Sequence, residues 1–163
     1  MIKQVTDDIL LSNAQAIAHG IAPNDHFDSG LALTLRQDWP ALYKDFRHYL
    51  HTAHPKAGSL WVWTRADGRR VINLFTQEPA SSEHAHPGKT SYHTLNLCLR
   101  ELHSLVEAEK IASLALPRLV TGVGGLEWDQ VEPLIRQHLG SLHIPIYLYT
   151  TYHKGIKAVE DRK

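Results

Sequence analysis

The stretch IASLALPRLVTGVGGLEWD spans residues 111–129 and combines the signals of a strand, a loop and a helix. Residues 111–116 predict a buried strand, and residues 117–126 predict a glycine-rich loop. Asp129-x-x-Glu132 resembles the capping box that starts many helices. A strand that leads through a loop into a helix is the repeating unit of α/β proteins. This stretch therefore predicts an α/β fold.

The rest of the chain alternates in the same way. Residues 16–18 and 144–149 predict buried strands, and residues 59–64 and 70–75 predict two strands that pair antiparallel, because Asp67-Gly68 between them favours a tight hairpin turn. Helices are predicted over residues 29–39, from Pro40 onward, and in a long segment that starts near Tyr92. Strands that alternate with helices, with one hairpin among them, predict a mixed sheet covered by helices on both faces.

Length and composition limit the functions that this chain can have. The 163 residues suffice for one domain with a proper core. Lys and Arg together number 17, as do Asp and Glu, and this balance argues against binding to duplex nucleic acid. A single cysteine, Cys98, excludes an internal disulfide and a cysteine-based zinc cluster. The N-terminus resembles no signal peptide and no stretch is apolar enough to span a membrane, so we expect a cytoplasmic monomer.

Two loops have the composition of anion-binding loops. Residues 24–31 lie between a predicted strand and a helix, and so do residues 121–125, which include Gly122, Gly124 and Gly125. Glycines let backbone N–H groups approach an anion together, and a helix N-terminus adds a partial positive charge. Neither loop matches the P-loop or the dinucleotide-binding pattern. These loops predict a site for a phosphorylated ligand.

Three segments together resemble the macrodomain family, and in particular its terminal ADP-ribose glycohydrolase branch. They are Asp7-Asp8-Ile9, the run from His19 to Ala32, and the run from Pro117 to Trp128. The resemblance implies a macrodomain over residues 1–150, built as a three-layer α/β/α sandwich around a central mixed sheet. Residues 151–163 are then a polar C-terminal tail, which we expect to be loose.

The resemblance also implies that the chain binds ADP-ribose. Asp8 matches an acidic residue that accepts a hydrogen bond from the adenine amino group, and Ile9 matches the neighbour that frames the ring. From the residues alone, Asp8 also fits a strand-end turn and Tyr149 an ordinary core tyrosine. The ligand-binding residues that the resemblance implies are Asp8, Ile9, Ser29, Gly30, Leu31, Thr121, Gly122, Val123, Gly124 and Tyr149.

The chain departs from that branch at its two catalytic positions. Gln77 stands where the branch has a lysine, and Gly124 stands where it has an aspartate. Glutamine cannot attack the anomeric carbon, and glycine cannot transfer a proton. Lys89 is the nearest lysine and fits a solvated loop charge better than a catalytic group. The catalytic residues are therefore not identified.

We expect neither a metal nor a cofactor. Zinc requires three or four ligands at fixed geometry. No cysteine pair or suitably spaced carboxylate accompanies the histidines at positions 48, 51, 54, 84 and 86. Hydrolysis of an ADP-ribose linkage, in a modified macromolecule or a related metabolite, would then proceed by a substrate-assisted route. The alternatives are a non-catalytic ADP-ribose reader module and a small α/β domain that binds another phosphorylated ligand.

Overall fold

A computed structural model of the chain describes residues 1–82, 85, 88–121 and 125–160. A 3₁₀ helix, Ile9–Leu11, follows the first strand and was not predicted from the sequence. The strands and helices in chain order are β1 (Ile2–Thr6), β2 (Ala16–Ile21), α1 (Gly30–Asp38), α2 (Pro40–Ala53), β3 (Leu60–Thr64), β4 (Arg70–Phe75), α3 (Tyr92–Ala108), β5 (Leu114–Pro117), α4 (Trp128–Leu139) and β6 (Ile146–Thr151).

Within the described residues, six strands form one sheet in the order β1-β6-β5-β2-β4-β3. Neighbouring strands are parallel except β3 and β4, which form the predicted hairpin around Gly68, whose φ is +90°. The carboxyl ends of β1, β6, β5, β2 and β4 therefore lie at one edge of the sheet. Ligands of open α/β sheets bind beyond this edge.

Alternating side chains place helices on the two faces of the sheet. Leu114, Leu116 and Leu148 pack with α3 and α4, whereas Val71 and Phe75 pack with α1 and α2. Because side chains of a strand alternate between faces, each strand contributes to both layers of the core. The predicted three-layer α/β/α sandwich is confirmed.

Two local predictions about the stretch at residues 111–129 are wrong. Ile111 lies outside a strand, since its N–H donates to the Val106 carbonyl at the end of α3, and β5 starts only at Leu114. The helix cap is Glu127 rather than Asp129, and no side chain bonds to it. The Glu127 carbonyl accepts from the N–H groups of Gln130 and Val131, so the helix begins before the predicted capping box.

The C-terminal tail is also different from the expectation of a loose segment. Ala158 and Glu160 are buried, at 8% and 7% exposure. Polar sequence suggests a solvated tail, but a buried carboxylate with several donors holds this one on the core. No helix among the described residues is long and apolar enough to cross a membrane.

Candidate ligand-binding cleft

A cleft of about 500 Å³ opens at the carboxyl ends of the parallel strands. It lies between the N-terminal turn of α1 and the segments that follow β1, β5 and β6. This is the position at which α/β sheets bind ligands. The residues that line it are Asp7, Ile9, Gly30, Leu31, Thr34, Pro117, Arg118, Tyr149, Thr150, Thr151 and Tyr152.

Asp8 is buried beside the cleft and forms three hydrogen bonds with backbone groups. Its Oδ1 accepts from the Leu10 N–H at 3.0 Å and so caps the 3₁₀ helix. Its Oδ2 accepts from the Gly155 N–H at 2.9 Å, and its own N–H donates to the Ile156 carbonyl at 2.8 Å. A carboxylate offers about four lone-pair positions, so two of them remain for a ligand donor. Asp8 thus has a turn role in addition to its predicted ligand role.

Asp7, rather than Asp8, is the acidic residue that lines the cleft. Its backbone has a φ of +95°, which is unusual for a residue other than glycine. The Asp7 N–H donates to the Thr151 carbonyl at 2.7 Å, and its Oδ1 lies 2.9 Å from His153 Nδ1. These contacts to the strand end and to the C-terminal segment hold the strained backbone in place.

Tyr149 lines the cleft, and its hydroxyl is bonded inside the protein. Only 5% of the residue is exposed, and Oη donates to Glu160 Oε2 at 2.7 Å. Burial, followed by the hydrogen bond to Glu160, raises the pKa of Tyr149 above its usual value. The hydroxyl is therefore a neutral donor. Tyr149 is thus buried like an ordinary core tyrosine and also lines the cleft.

The first predicted loop brings α1 to the cleft. Asp25 accepts from the N–H groups of Ala22 and Phe27, at 3.2 and 2.8 Å, and so fixes the turn that leads into the helix. Gly30, with a φ of +58°, begins α1 and lines the cleft together with Leu31. Ser29 caps the helix through its extended backbone without a side-chain bond, and it is exposed next to the cleft-lining residues.

The second predicted loop is described only at its ends. Thr121 donates from Oγ1 to the Arg118 carbonyl at 3.2 Å, and the Leu126 N–H donates to the Val120 carbonyl at 2.6 Å. The predicted residues 122–124 lie outside the described residues. Arg118, on the cleft wall, places its guanidinium carbon 4.8 Å from the centre of the Trp128 ring, within the range of a cation–π contact.

Comparison with known proteins decides the family. The sequence matches the Macro domain family over residues 44–135, which is more than half of the chain. The chain belongs to the macro domain family. The resemblance that the sequence carries is thereby confirmed.

The curated relatives of this macro domain are named as glycohydrolases. A Thermus aquaticus protein named DNA ADP-ribosyl glycohydrolase is 24% identical over 153 residues, a match that covers 91% of this chain and 41% of the relative. The human ADP-ribose glycohydrolase OARD1 is 25% identical over 135 residues, covering 83% of this chain and 81% of OARD1. This chain therefore spans about two fifths of the length of the T. aquaticus relative.

Solved structures share the fold. The macrodomain of T. aquaticus DarG has a TM-score of 0.78 at 22% identity, with coverage of 91% of this chain and 97% of that chain. The macrodomain of Mycobacterium tuberculosis DarG has a TM-score of 0.79, also at 22% identity and with the same coverages. At this identity the likeness establishes a shared fold.

Gln77 of this macro domain lies beyond β4, outside the residues that line the cleft. It forms an isolated antiparallel bridge with Thr90, next to the bond in which the Glu78 N–H donates to the Lys89 carbonyl at 3.0 Å. Lys89 is exposed, in agreement with its interpretation as a solvated loop charge.

Two tryptophans of β3 and the single cysteine have structural roles. Trp61 stacks on Tyr49 with ring centres 5.1 Å apart, and Trp63 stacks on Trp39 at 6.4 Å, so both tryptophans cover the core. Burial raises the pKa of the Cys98 thiol to about 12, which leaves it unreactive. Among the described residues no three His, Cys, Asp or Glu side chains are grouped for a metal, and His84 and His86 lie outside those residues.

Seven residues of the cleft wall were not predicted from the sequence: Asp7, Thr34, Pro117, Arg118, Thr150, Thr151 and Tyr152. Asp7 and Arg118 stand inside two of the segments that carry the family resemblance. Thr34 stands one helical turn after Gly30, which places both on the same side of α1. Tyr152 stands at the start of the tail, where the sequence has no periodic signal.

Proposed function

We propose that this macro domain binds ADP-ribose and hydrolyses ADP-ribosyl linkages of modified macromolecules or a related ADP-ribose metabolite. The observation that carries the proposal is the cleft at the carboxyl ends of the parallel strands, bounded by two segments of the family resemblance and by α1. The glycohydrolase names of the curated relatives support the reaction class.

The described side chains divide the cleft by chemistry. Ile9, Leu31 and Tyr149 supply apolar surface for a base, and the adjacent Asp8 supplies an acceptor for its amino group. Arg118 brings a positive charge toward the second loop. The glycines predicted for that loop would add backbone donors for the diphosphate. We expect micromolar affinity for ADP-ribose, roughly −8 kcal/mol.

We propose that hydrolysis here proceeds without the lysine and aspartate that the resemblance implies for the related branch, because Gln77 and Gly124 stand at the matching positions. We propose that the bound diphosphate orients a water toward the anomeric carbon. The water oxygen forms the new bond, the linkage oxygen or nitrogen leaves with a proton, and free ADP-ribose is the product.

The second candidate function is a non-catalytic reader of ADP-ribose. Gln77 and Gly124 favour it, since a reader needs the same cleft without the two catalytic groups. A reader would bind ADP-ribosylated substrates without forming a product, whereas a hydrolase would release ADP-ribose from them.

Titration calorimetry with ADP-ribose tests the shared part of both proposals. Thr34→Trp should fill the cleft and abolish binding, because Thr34 is on its wall. Thr52→Trp is the matched control. Thr52 is exposed on α2, and the hydroxyls of both Thr34 and Thr52 donate to a carbonyl of their own helix. If the wild type gave no heat of binding and no thermal shift at millimolar ADP-ribose, binding would be refuted.

Incubation with ADP-ribosylated DNA and with ADP-ribosylated protein then separates hydrolase from reader. Released ADP-ribose that Thr34→Trp loses and Thr52→Trp keeps supports hydrolysis at this cleft. Stable binding without release from either substrate supports the reader.

We also propose the location and state that the composition favours: a cytoplasmic monomer without affinity for duplex nucleic acid. The single cysteine suits a reducing compartment, and the balance of 17 basic and 17 acidic residues disfavours a duplex-binding face. Analytical ultracentrifugation with and without a DNA duplex tests both the monomeric state and the absence of duplex binding.

A further inference from the structure

Glu160 is a buried carboxylate that connects three separate parts of the fold. Its Oε2 accepts from Ser12 Oγ at 2.5 Å and from Tyr149 Oη at 2.7 Å, and its Oε1 accepts from the Asn13 N–H at 3.0 Å. Its backbone carbonyl accepts from Lys3 Nζ at 2.7 Å. A buried carboxylate destabilises a fold unless donors surround it, and here three donors converge on one group.

The partners of Glu160 belong to the cleft and its support. Tyr149 lines the cleft from β6. Ser12 caps the carboxyl end of the 3₁₀ helix, whose first residue, Ile9, also lines the cleft. Glu160 therefore fixes the tyrosine directly and the isoleucine through the end of its helix.

The chain between β6 and Glu160 passes along the same end of the cleft. Tyr152 lies on the cleft wall. Gly155 donates its N–H to Asp8 Oδ2, and the Ile156 carbonyl accepts the Asp8 N–H. The orientation of the Asp8 carboxylate is thus set from one side by the 3₁₀ helix and from the other by the C-terminal segment.

We infer that residues 152–160, which we name the C-terminal wall, form one side of the nucleobase end of the cleft, with Glu160 as the positioning residue that holds them there. This inference rests on the proposed binding of ADP-ribose and deepens it. The C-terminal wall orients the groups that select the base, and it leaves the diphosphate end to the two loops.

Selectivity between two ligands distinguishes this role from a purely structural one. ADP-ribose carries an amino group at position 6 of its base, whereas IDP-ribose carries a carbonyl there, which a carboxylate acceptor disfavours. If Asp8 and Tyr149 lose their fixed orientation, the binding of ADP-ribose should therefore weaken more than the binding of IDP-ribose. General destabilisation of the fold would lower the melting temperature without changing the ratio of the two affinities.

The experiment measures both dissociation constants by calorimetry for the wild type, Glu160→Ala, Glu160→Gln and Glu101→Ala. We expect Glu160→Ala to weaken ADP-ribose about tenfold and to lose most of the preference over IDP-ribose. Glu160→Gln should restore much of both, because its amide oxygen can still accept from Tyr149 or Ser12. Glu101 is exposed on α3, so Glu101→Ala controls for removal of a carboxylate.

Tyr152→Ala keeps the inference testable if Glu160→Ala fails to fold, because Tyr152 is 52% exposed. We expect it to weaken ADP-ribose about fivefold, the scale of lost contact with one aromatic ring. Wild-type affinities and an unchanged ligand ratio in Tyr152→Ala, or in a folded Glu160→Ala, would overturn the inference alone. Absence of ADP-ribose binding in the wild type would overturn the proposed function and the inference together.

Discussion

The two faces of the sheet are built from different chemistry. The core between the sheet and α3 and α4 consists of aliphatic side chains and Cys98. On the opposite face the core is divided into two clusters, one beneath α1 and α2 and one beneath the cleft. Four of the buried polar residues, Asp8, His19, Asn73 and Glu160, lie on this second side, whereas Thr94 is buried on α3.

This difference separates stability from ligand binding. Aliphatic packing needs no directional partners, so the α3–α4 side can stabilise the fold without constraining the site. Each buried polar group on the cleft side needs a partner at a fixed distance, as in the 2.7 Å contact between His19 Nε2 and Asn73 Oδ1. Substitutions on the two sides should therefore have separable effects.

The largest effect should come from the aliphatic side. Leu99 on α3 is fully buried, so Leu99→Ala should lower the free energy of unfolding by about 2–5 kcal/mol through lost burial and a cavity. Urea unfolding measures the loss. The variant that remains folded should bind ADP-ribose with wild-type affinity in calorimetry. A parallel loss of affinity would show that the two sides are not separable.

The next effect tests which of two neighbouring carboxylates selects the base. Asp8→Ala should weaken ADP-ribose by about 1.5–3 kcal/mol, since a hydrogen bond to a charged group is lost. It should also lower the melting temperature, because the Leu10 and Gly155 N–H groups lose their acceptor.

Ribose-5-phosphate, which lacks the base, should bind equally to wild type and Asp8→Ala. Asp7→Ala is the matched comparison, since Asp7 lies on the cleft wall itself. If Asp8→Ala affected both ligands alike while Asp7→Ala affected only ADP-ribose, the predicted role of Asp8 would belong to Asp7.

The sequence predicted the strands and helices better than the buried polar contacts. The hairpin, the helix that Pro40 begins and the strand at residues 16–18 follow from local periodicity and turn chemistry, and the structure contains all three. The contact between Ser12 and Glu160 joins residues 148 positions apart, so no local pattern could reveal it. The polar sequence of the tail even favoured the opposite prediction. The cleft residues found in advance came from the family resemblance, and their ligand roles stay predictions.

The pH dependence of stability provides a smaller test of the polar side. Burial lowers the pKa of His19 below its usual value of 6.5, whereas hydrogen bonding to Asn73 and the charge of Asp25 act in the opposite direction. As the pH falls below about 6.5, the unfolded chain takes up a proton at this position before the folded chain does. The stability contributed by neutral His19 is therefore present above that pH and is lost on acidification.

Urea unfolding at pH 7.5 and 5.5 measures this loss. One proton limits the contribution of His19 to about 1.4 kcal/mol per pH unit. His19→Gln should be less stable at pH 7.5 but should lose less stability on acidification than the wild type. His51→Gln, at an exposed position on α2, is the control. Equal losses in wild type and His19→Gln would contradict the assignment.

The smallest effect concerns the charge at the boundary between the base end and the diphosphate end of the cleft. Arg118 is exposed and follows β5, while Asp7 follows β1, and β6 lies between these strands. With strands about 4.8 Å apart, the backbone positions at which these two residues follow their strands are roughly two strand spacings apart. Arg118→Gln should weaken ADP-ribose by about two- to fivefold at low salt, the scale of a solvent-exposed ion pair. The difference from the wild type should shrink at 0.5 M salt, since screening shortens the range to a few ångströms. Arg47→Gln, exposed on α2, is the charge-matched control and should leave the affinity unchanged at both salt concentrations.

Adenosine, which has no phosphate, should bind Arg118→Gln and wild type equally. A loss that affects adenosine as strongly as ADP-ribose would place Arg118 at the base end and remove the division of the cleft into two chemically distinct ends.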